Sequence, residues 1–223
     1  MRRLRPLALA AGLVALLLAA GGCGGESSHT SVARAQAAAR ARLMRLGARV
    51  FAEHCQSCHP LLGVPNQKIQ VDALPLDLDH VRPSRAYVLS RLQSGGVGMG
   101  AFSTALSAAQ QRAVTEYVLA VGGRDVRPLP GGASGAQLAA GRALYAQHCQ
   151  QCHELGGRRP THPNPIWPGT DFDLLRPSIL YVEQKVREGQ REAMPSFRHT
   201  LTWEQTRAVA VYVNAAALRG RPR

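Results

Sequence analysis

The chain repeats itself once, and the second copy follows the first at an offset of 94 residues. The word CQSCH at 55–59 returns as CQQCH at 149–153, and DLDHVRPSRAYV at 77–88 returns as DFDLLRPSILYV at 171–182. Further along, the matching positions are offset by 95, so one residue was inserted just before the second repeat's methionine, Met194. A tandem duplication of this length in a chain of 223 residues predicts two similar domains.

Each copy carries three helical patterns, and no alternating strand pattern of any length is found. The first pattern runs directly into the cysteine motif. The second begins near a proline and ends near a glycine, and the third opens with a capping box of Ser or Thr followed by Gln. These boundaries are Pro83 and Gly95 or Pro177 and Gly189 for the second helix, and Ser107-x-x-Gln110 or Thr202-x-x-Gln205 for the third. We therefore predict an all-α fold.

Glycine and proline concentrate in GGRDVRPLPGGASG, which predicts a linker between the two copies. The polar and Ala-rich residues before the first copy predict a tether that merges into a helix. The predicted divisions are a signal peptide at 1–22, a tether at 23–36, a first domain at 37–121, the linker at 122–135, a second domain at 136–218 and a basic tail at 219–223.

The N-terminal sequence MRRLRPLALAAGLVALLLAAGGCGG has the form of an export signal. Three arginines precede an apolar stretch that is shorter than a membrane span, and small residues follow it. The stretch LAAGGC resembles a bacterial lipobox, in which the cysteine is lipidated, so Cys23 is the predicted lipid attachment site. Ordinary cleavage and a retained anchor are the alternatives. We expect the protein on the periplasmic side of the cytoplasmic membrane.

The two cysteine words could in principle hold a metal, shuttle electrons as a dithiol or tether a haem. A structural zinc site usually draws on cysteine pairs one or two dozen residues apart, and a thioredoxin-like dithiol follows a strand. Neither condition is met here. A histidine directly after Cys-x-x-Cys is the attachment signature of c-type haem. The predicted thioether cysteines are Cys55, Cys58, Cys149 and Cys152, and the predicted axial histidines are His59 and His153.

From about residue 38 to residue 217 the chain resembles the class I cytochromes c, specifically the two-haem members built from fused domains. The resemblance implies two covalent haem c groups, each with a methionine as sixth ligand. Met194 in AMPSF has the family's usual form, whereas Met99 in GMGAF is followed by glycine, which loosens the loop. His80 is the alternative sixth ligand in the first copy, but its counterpart is a leucine and a surface role is favoured.

The resemblance also assigns supporting roles. In that family a glycine on the first helix lets the last helix cross closely beside an aromatic from each. We expect these crossings to be formed by Gly47 with Phe51 and Tyr117, and by Gly141 with Tyr145 and Tyr212. The resemblance further implies that Trp167 packs on a haem, that the carbonyls of Pro65 and Pro160 accept hydrogen bonds from the axial histidines, and that Arg82 and Arg176 neutralise haem propionates unless they are solvated residues at helix starts. We expect His54 and His148 to be partly exposed packing residues.

Two axial ligands from the protein leave the iron no open position, which favours an electron carrier over an enzyme. Expected partners are a quinol-oxidising complex or dehydrogenase as donor and a terminal oxidase or reductase as acceptor. The net charge of +13 comes almost entirely from arginine and reflects either codon usage or a basic surface that attracts acidic partners. The export signal argues against nucleic acid.

Two alternatives to a free electron carrier remain, a two-haem enzyme and a fixed subunit of a larger complex. A two-haem peroxidase would need a releasable ligand, and a thiosulfate-oxidising enzyme of this class uses a cysteine ligand. Of five cysteines, four are committed to thioethers and the fifth lies at the signal boundary. The second alternative is a fixed haem subunit of a dehydrogenase or oxidase complex, whose chemistry is the same as that of a free carrier.

Overall fold

The structure is a computed structural model, and it describes residues 28–65, 76–96, 98–163, 169–190 and 193–220. The predicted signal peptide, Cys23 and Trp167 lie outside the described residues, as does the end of the predicted basic tail. The chain divides into two compact units, Met1–Arg40 and Ala41–Arg223. The described part of the first unit is helical and exposed from residue 29 to residue 40. Both repeats lie in the second unit.

The regular secondary structure of the described residues is helical, and β-pairing there is limited to isolated bridges, which confirms the all-α prediction. Among the described helices, none combines the length and the apolar character needed to cross a bilayer. The helices are α1 (Ser28–His54), α2 (Arg85–Ser94), α3 (Ala108–Val121), α4 (Gly135–His148), α5 (Phe172–Leu175), α6 (Ile179–Glu188) and α7 (Trp203–Arg219).

The second helix of each repeat begins two residues later than the sequence predicted. The hydroxyl groups of Ser84 and Ser178 cap α2 and α6, accepting from the backbone N–H of Tyr87 and Tyr181. Because a side-chain oxygen can satisfy an orphan amide at a helix start, the serine sets the boundary and the proline before it stays outside the helix. The predicted capping boxes of α3 and α7 are present.

Two further boundaries differ from the sequence prediction. Helix α1 begins at Ser28, so most of the predicted tether is helical. The second repeat gains the short helix α5, because the Asp171 carboxylate accepts from the backbone N–H of Asp173 and Leu174 and caps a single turn. The equivalent segment of the first repeat, 78–81, forms no helix and ends in an isolated bridge from Val81 to Pro177.

The first and last helices of each repeat cross at a glycine, as the family resemblance implied. A Cβ on Gly47 would lie 2.6 Å from Tyr117 Cβ, and a Cβ on Gly141 would lie 2.7 Å from Tyr212 Cβ. Both distances are below any ordinary van der Waals contact, so only glycine permits the crossing. Beside the crossings, the ring centroids lie 5.8 Å apart for Phe51 with Tyr117 and 5.7 Å apart for Tyr145 with Tyr212.

The two repeats pair with each other through their RPS segments in a nearly symmetric way. The backbone N–H of Ser84 donates to the Leu174 carbonyl and that of Ser178 donates to the His80 carbonyl, both at 2.7 Å. These four residues are two equivalent pairs at the offset of 94. Leu175 of the second repeat is buried in the core cluster of the first. The repeats are therefore packed together as well as linked in sequence.

The predicted linker is anchored over its first residues. The backbone N–H of Gly123 donates to the Leu78 carbonyl at 2.8 Å, and that of Asp125 donates to the Asp79 carbonyl at 2.9 Å. Val126 is buried, and Arg82 donates to its carbonyl at 3.2 Å. The linker therefore leaves the first repeat only after Val126.

Candidate haem sites

Each cysteine motif forms one tight turn directly after the first helix of its repeat. In the first repeat the backbone N–H of Cys55 donates to the Phe51 carbonyl, and that of His59 donates back to the Cys55 carbonyl at 2.9 Å. In the second repeat the N–H of His153 donates to the Cys149 carbonyl at 3.0 Å. The turn thus fixes two thiols and one imidazole close together in each repeat.

The predicted axial histidines, His59 and His153, do not hydrogen-bond to the prolines that the sequence suggested. His59 Nδ1 lies 2.9 Å from the Leu76 carbonyl, and His153 Nδ1 lies 3.1 Å from the Thr170 carbonyl. These two acceptors are equivalent positions of the repeats, whereas Pro65 and Pro160 are not. A proton held on Nδ1 leaves the Nε2 lone pair available for iron.

The segment that supplies this carbonyl is held against the motif by a backbone bond. The N–H of Leu78 donates to the Pro60 carbonyl at 3.0 Å, and the N–H of Phe172 donates to the Glu154 carbonyl at 2.9 Å. These too are equivalent pairs. Because the segment returns directly beneath the histidine, its carbonyl accepts from the ring and the nearer prolines do not.

A buried aspartate in each repeat supports the loop after the motif, and sequence reasoning missed this role. Asp79 accepts from the backbone N–H of Leu62 and Gly63 at 3.0 and 2.7 Å. Asp173 accepts from Gly156 and Gly157 at 2.9 and 2.7 Å. The duplicated Asp-x-Asp was the available signal, since a repeated acid in an apolar stretch indicates buried hydrogen bonds.

The four motif cysteines form no disulfide bonds with one another. Burial, followed by the neighbouring motif cysteine, raises the pKa of Cys55 to about 11 and that of Cys149 to about 12. Burial also lowers the pKa of His153. Both shifts favour the uncharged forms of these side chains, and the neutral imidazole is the form of histidine that binds iron.

The second repeat brings its predicted ligands to one cavity. Its walls include Cys149, Cys152, His153 and Met194, together with apolar residues of α6 and α7. In the first repeat, Met99 packs against the buried cluster that contains Cys55. The structure therefore brings each methionine to the core beside its cysteine motif.

The other predicted histidines lie away from this arrangement. His54 and His148 stand edge-on to Phe102 and Phe197, with ring centroids 6.5 and 6.0 Å apart. His80 lies at the contact between the repeats, where its Nδ1 is 3.2 Å from Ser178 Oγ. His80 thus contributes to the contact between the repeats.

Arg82 and Arg176 differ although they are equivalent. The guanidinium of Arg82 donates to the carbonyls of Gly123 and Val126. The Nε of Arg176 is buried and has no hydrogen-bond partner among the described residues, and burial with the nearby Arg82 lowers its pKa. Arg176 does not line the cavity of the second repeat, so the fit of this repeat to haem c rests on Cys149, Cys152, His153 and Met194.

Comparison with known proteins gives matches to both repeats. Residues 42–118 and 136–213 match the family described as cytochrome c oxidase, cbb3-type, subunit III. Cytochrome c6 of Rippkaea orientalis is 36% identical over 80 residues, which make up 35% of this chain and 70% of that protein. A solved chain of the Kuenenia stuttgartiensis reducing HAO-like protein complex has 18% identity and a TM-score of 0.31, covering 77% of this chain and 95% of its own.

Proposed function

The chain belongs to the cytochrome c oxidase, cbb3-type, subunit III family, and we propose that it is a two-haem electron carrier at the outer face of the cytoplasmic membrane. Two tandem c-type cytochrome domains imply covalent haem c and electron transfer. The observation that carries the proposal is the duplicated donor set, in which each repeat joins a Cys-x-x-Cys-His turn to a methionine within one core. When bound, haem c supplies a one-electron iron couple.

In the proposed assignment, the motif cysteines form the thioethers and the motif histidines are the proximal ligands. Met99 and Met194 are the sixth ligands. The Leu76 and Thr170 carbonyls support this assignment because they hold each imidazole with Nε2 free. Filling both axial positions excludes a substrate from the iron, so the site passes electrons without binding the compound that is oxidised or reduced.

The proposed location rests on the N-terminal sequence alone. An export signal followed by LAAGGC would place a lipid on Cys23, and the lipid would hold the domains near membrane complexes. Cleavage before Cys23 would remove three arginines and leave a net charge of +10, which would steer the mature protein to acidic docking surfaces. A quinol-oxidising complex or dehydrogenase is the proposed donor, and a terminal oxidase or reductase is the proposed acceptor.

A fixed subunit of an oxidase is the second candidate, and the printed name of the matching family favours it. The chemistry of the two candidates is the same, since both relay single electrons. They differ in whether the chain remains bound to its acceptor after mild detergent extraction of membranes.

The experiment uses the full chain, matured with a c-type haem assembly system and present in its own membranes. We expect it to be reduced by the quinol-oxidising chain and reoxidised by a terminal oxidase, with neither step needing added substrate. Stable co-purification with an oxidase would select the subunit candidate. Turnover of peroxide or thiosulfate by the isolated protein would contradict the carrier proposal. A Cys23→Ala variant that loses its lipid label but keeps its haems would separate anchoring from electron transfer.

A further inference from the structure

Lys185 in helix α6 is buried without a polar partner. The residue is 8% exposed, and its Nζ makes no hydrogen bond to any described residue. Lysine is almost never buried unpaired, because removing an ammonium group from water is costly. Glu188, the acid whose charge acts on Lys185, is exposed and accepts a hydrogen bond from Gln184 at 3.1 Å. A buried cation of this kind indicates a role in the site that it faces.

The site that Lys185 faces is the cavity of the second repeat. Lys185 lines this cavity together with His153 and Met194. Its Nζ also lies 5.6 Å from the centroid of the Tyr181 ring, another residue of the cavity wall. The ammonium group is therefore held on the wall of the proposed haem site.

The first repeat carries the same arrangement with arginine. Arg91 is the equivalent of Lys185, and Tyr87 is the equivalent of Tyr181. The Arg91 guanidinium carbon lies 5.4 Å from the Tyr87 ring centroid, and its buried Nε has no hydrogen-bond partner among the described residues. Its Nη1 lies 3.0 Å from where a Cβ on Gly96 would stand, and the Gly96 N–H donates to the Met99 carbonyl.

We propose that Lys185 raises the reduction potential of the haem held in the second repeat, and that Arg91 does the same in the first. The inference rests on the proposed two-haem function. One electron from a donor protein lowers the charge of the site by one, with no proton or bond change required. A fixed positive charge stabilises the state with the extra electron, and it acts more strongly where water is excluded. The effect is therefore larger for the buried Lys185 than for the half-buried Arg91.

The test measures both reduction potentials of the full matured chain, assigned to each haem by the NMR signals of the axial methionines. We expect Lys185→Met to lower the equilibrium constant for reduction of the second haem about tenfold, which is roughly 59 mV for one electron. Lys185→Arg keeps the positive charge and should leave the reduction potential of the second haem close to that of the unchanged chain. Arg91→Met should lower the equilibrium constant for reduction of the first haem by a smaller factor.

Arg187→Met is the matched control, because it removes a cation from the same helix. Arg187 lies over the exposed Trp203 ring at 3.8 Å and does not line the cavity, so the second haem should shift less than about twofold. An unchanged reduction potential of the second haem in Lys185→Met would overturn the proposal. A shift that comes with loss of the methionine–iron band, the weak long-wavelength absorption of methionine-bound haem iron, would overturn it as well. A matured chain with fewer than two haems would count against the proposed function instead.

Discussion

The backbone N–H of Ser178 donates to the carbonyl of His80 at 2.7 Å, across the boundary between the two repeats. Its equivalent, Ser84, makes the matching bond to the Leu174 carbonyl at the same distance. Each serine also caps the helix that follows it. Each serine thus begins a helix that lines the core of its own repeat and joins that repeat to the other.

The first prediction concerns this contact between repeats. Leu175 belongs to the second repeat but is 2% exposed within the core cluster of the first. Leu175→Ala should lower the free energy of unfolding by about 2–5 kcal/mol and weaken the first repeat as well as the second. Urea unfolding followed separately at each haem checks this. Leu180→Ala, at a residue that is 59% exposed, is the control, and a loss confined to the second repeat would contradict the prediction.

The second prediction concerns the helix crossing at Gly141. A Cβ there would lie 2.7 Å from Tyr212 Cβ, so Gly141→Ala should cost about 1–3 kcal/mol despite the better helix propensity of alanine. Gly135→Ala on the same helix is the matched control, because a Cβ there meets nothing within 4 Å. Thermal unfolding of the two matured variants gives the comparison. Equal stability of the two would show that the crossing does not require glycine.

The third prediction concerns the aspartate that supports the second motif loop. Asp173→Ala leaves the backbone N–H groups of Gly156 and Gly157 without their acceptor, so it should cost about 1–3 kcal/mol. Asp173→Asn keeps one acceptor oxygen and should recover part of the loss. Denaturant titration of the oxidised protein measures both. If the alanine variant lost less than about 0.5 kcal/mol, as an ordinary surface change does, the support role would be wrong.

The fourth prediction concerns the two methionine loops. Gly100 follows Met99 where Pro195 follows Met194, and a Cβ on Gly100 would have open space within 4 Å. Gly100→Pro should therefore strengthen the Met99 loop by about 0.4–1 kcal/mol, because proline restricts the unfolded chain. The reciprocal Pro195→Gly should weaken the Met194 loop. Heating each variant while following the methionine–iron band measures the stability of both loops. A Gly100→Pro variant that loses its band at a lower temperature than the unchanged chain would contradict the prediction.

Much of this architecture could be predicted from the sequence because the duplication marks equivalent positions. The cysteine motifs and the capping boxes of α3 and α7 have strong local residue signals, and the glycine crossings at Gly47 and Gly141 followed from the resemblance to the class I cytochromes c. The histidine acceptors were predicted wrongly. Pro65 and Pro160 lie nearer in sequence, but the acceptor carbonyls belong to a segment that returns 17 residues after each histidine.

The contact between the repeats could not be predicted, for a related reason. Its backbone bonds use N–H and carbonyl groups, which every residue has, so no side-chain pattern announces them. The buried position of Lys185 was hidden in the same way. A lysine in a helix is ordinarily solvated, and only the packing of α6 against the cavity shows that its charge faces inward.

The most direct test of the account is the haem content of the matured chain, measured by mass together with the oxidised absorption spectrum. The account predicts a mass that corresponds to two covalent haems and a spectrum in which both are low-spin. The methionine–iron band should have the intensity expected for two methionine-bound haems. Cys58→Ala and Cys152→Ala should each disturb attachment at one site only. A high-spin component, or a methionine band for one site alone, would contradict the assignment of Met99 or Met194. A chain without covalent haem after maturation would contradict the account as a whole.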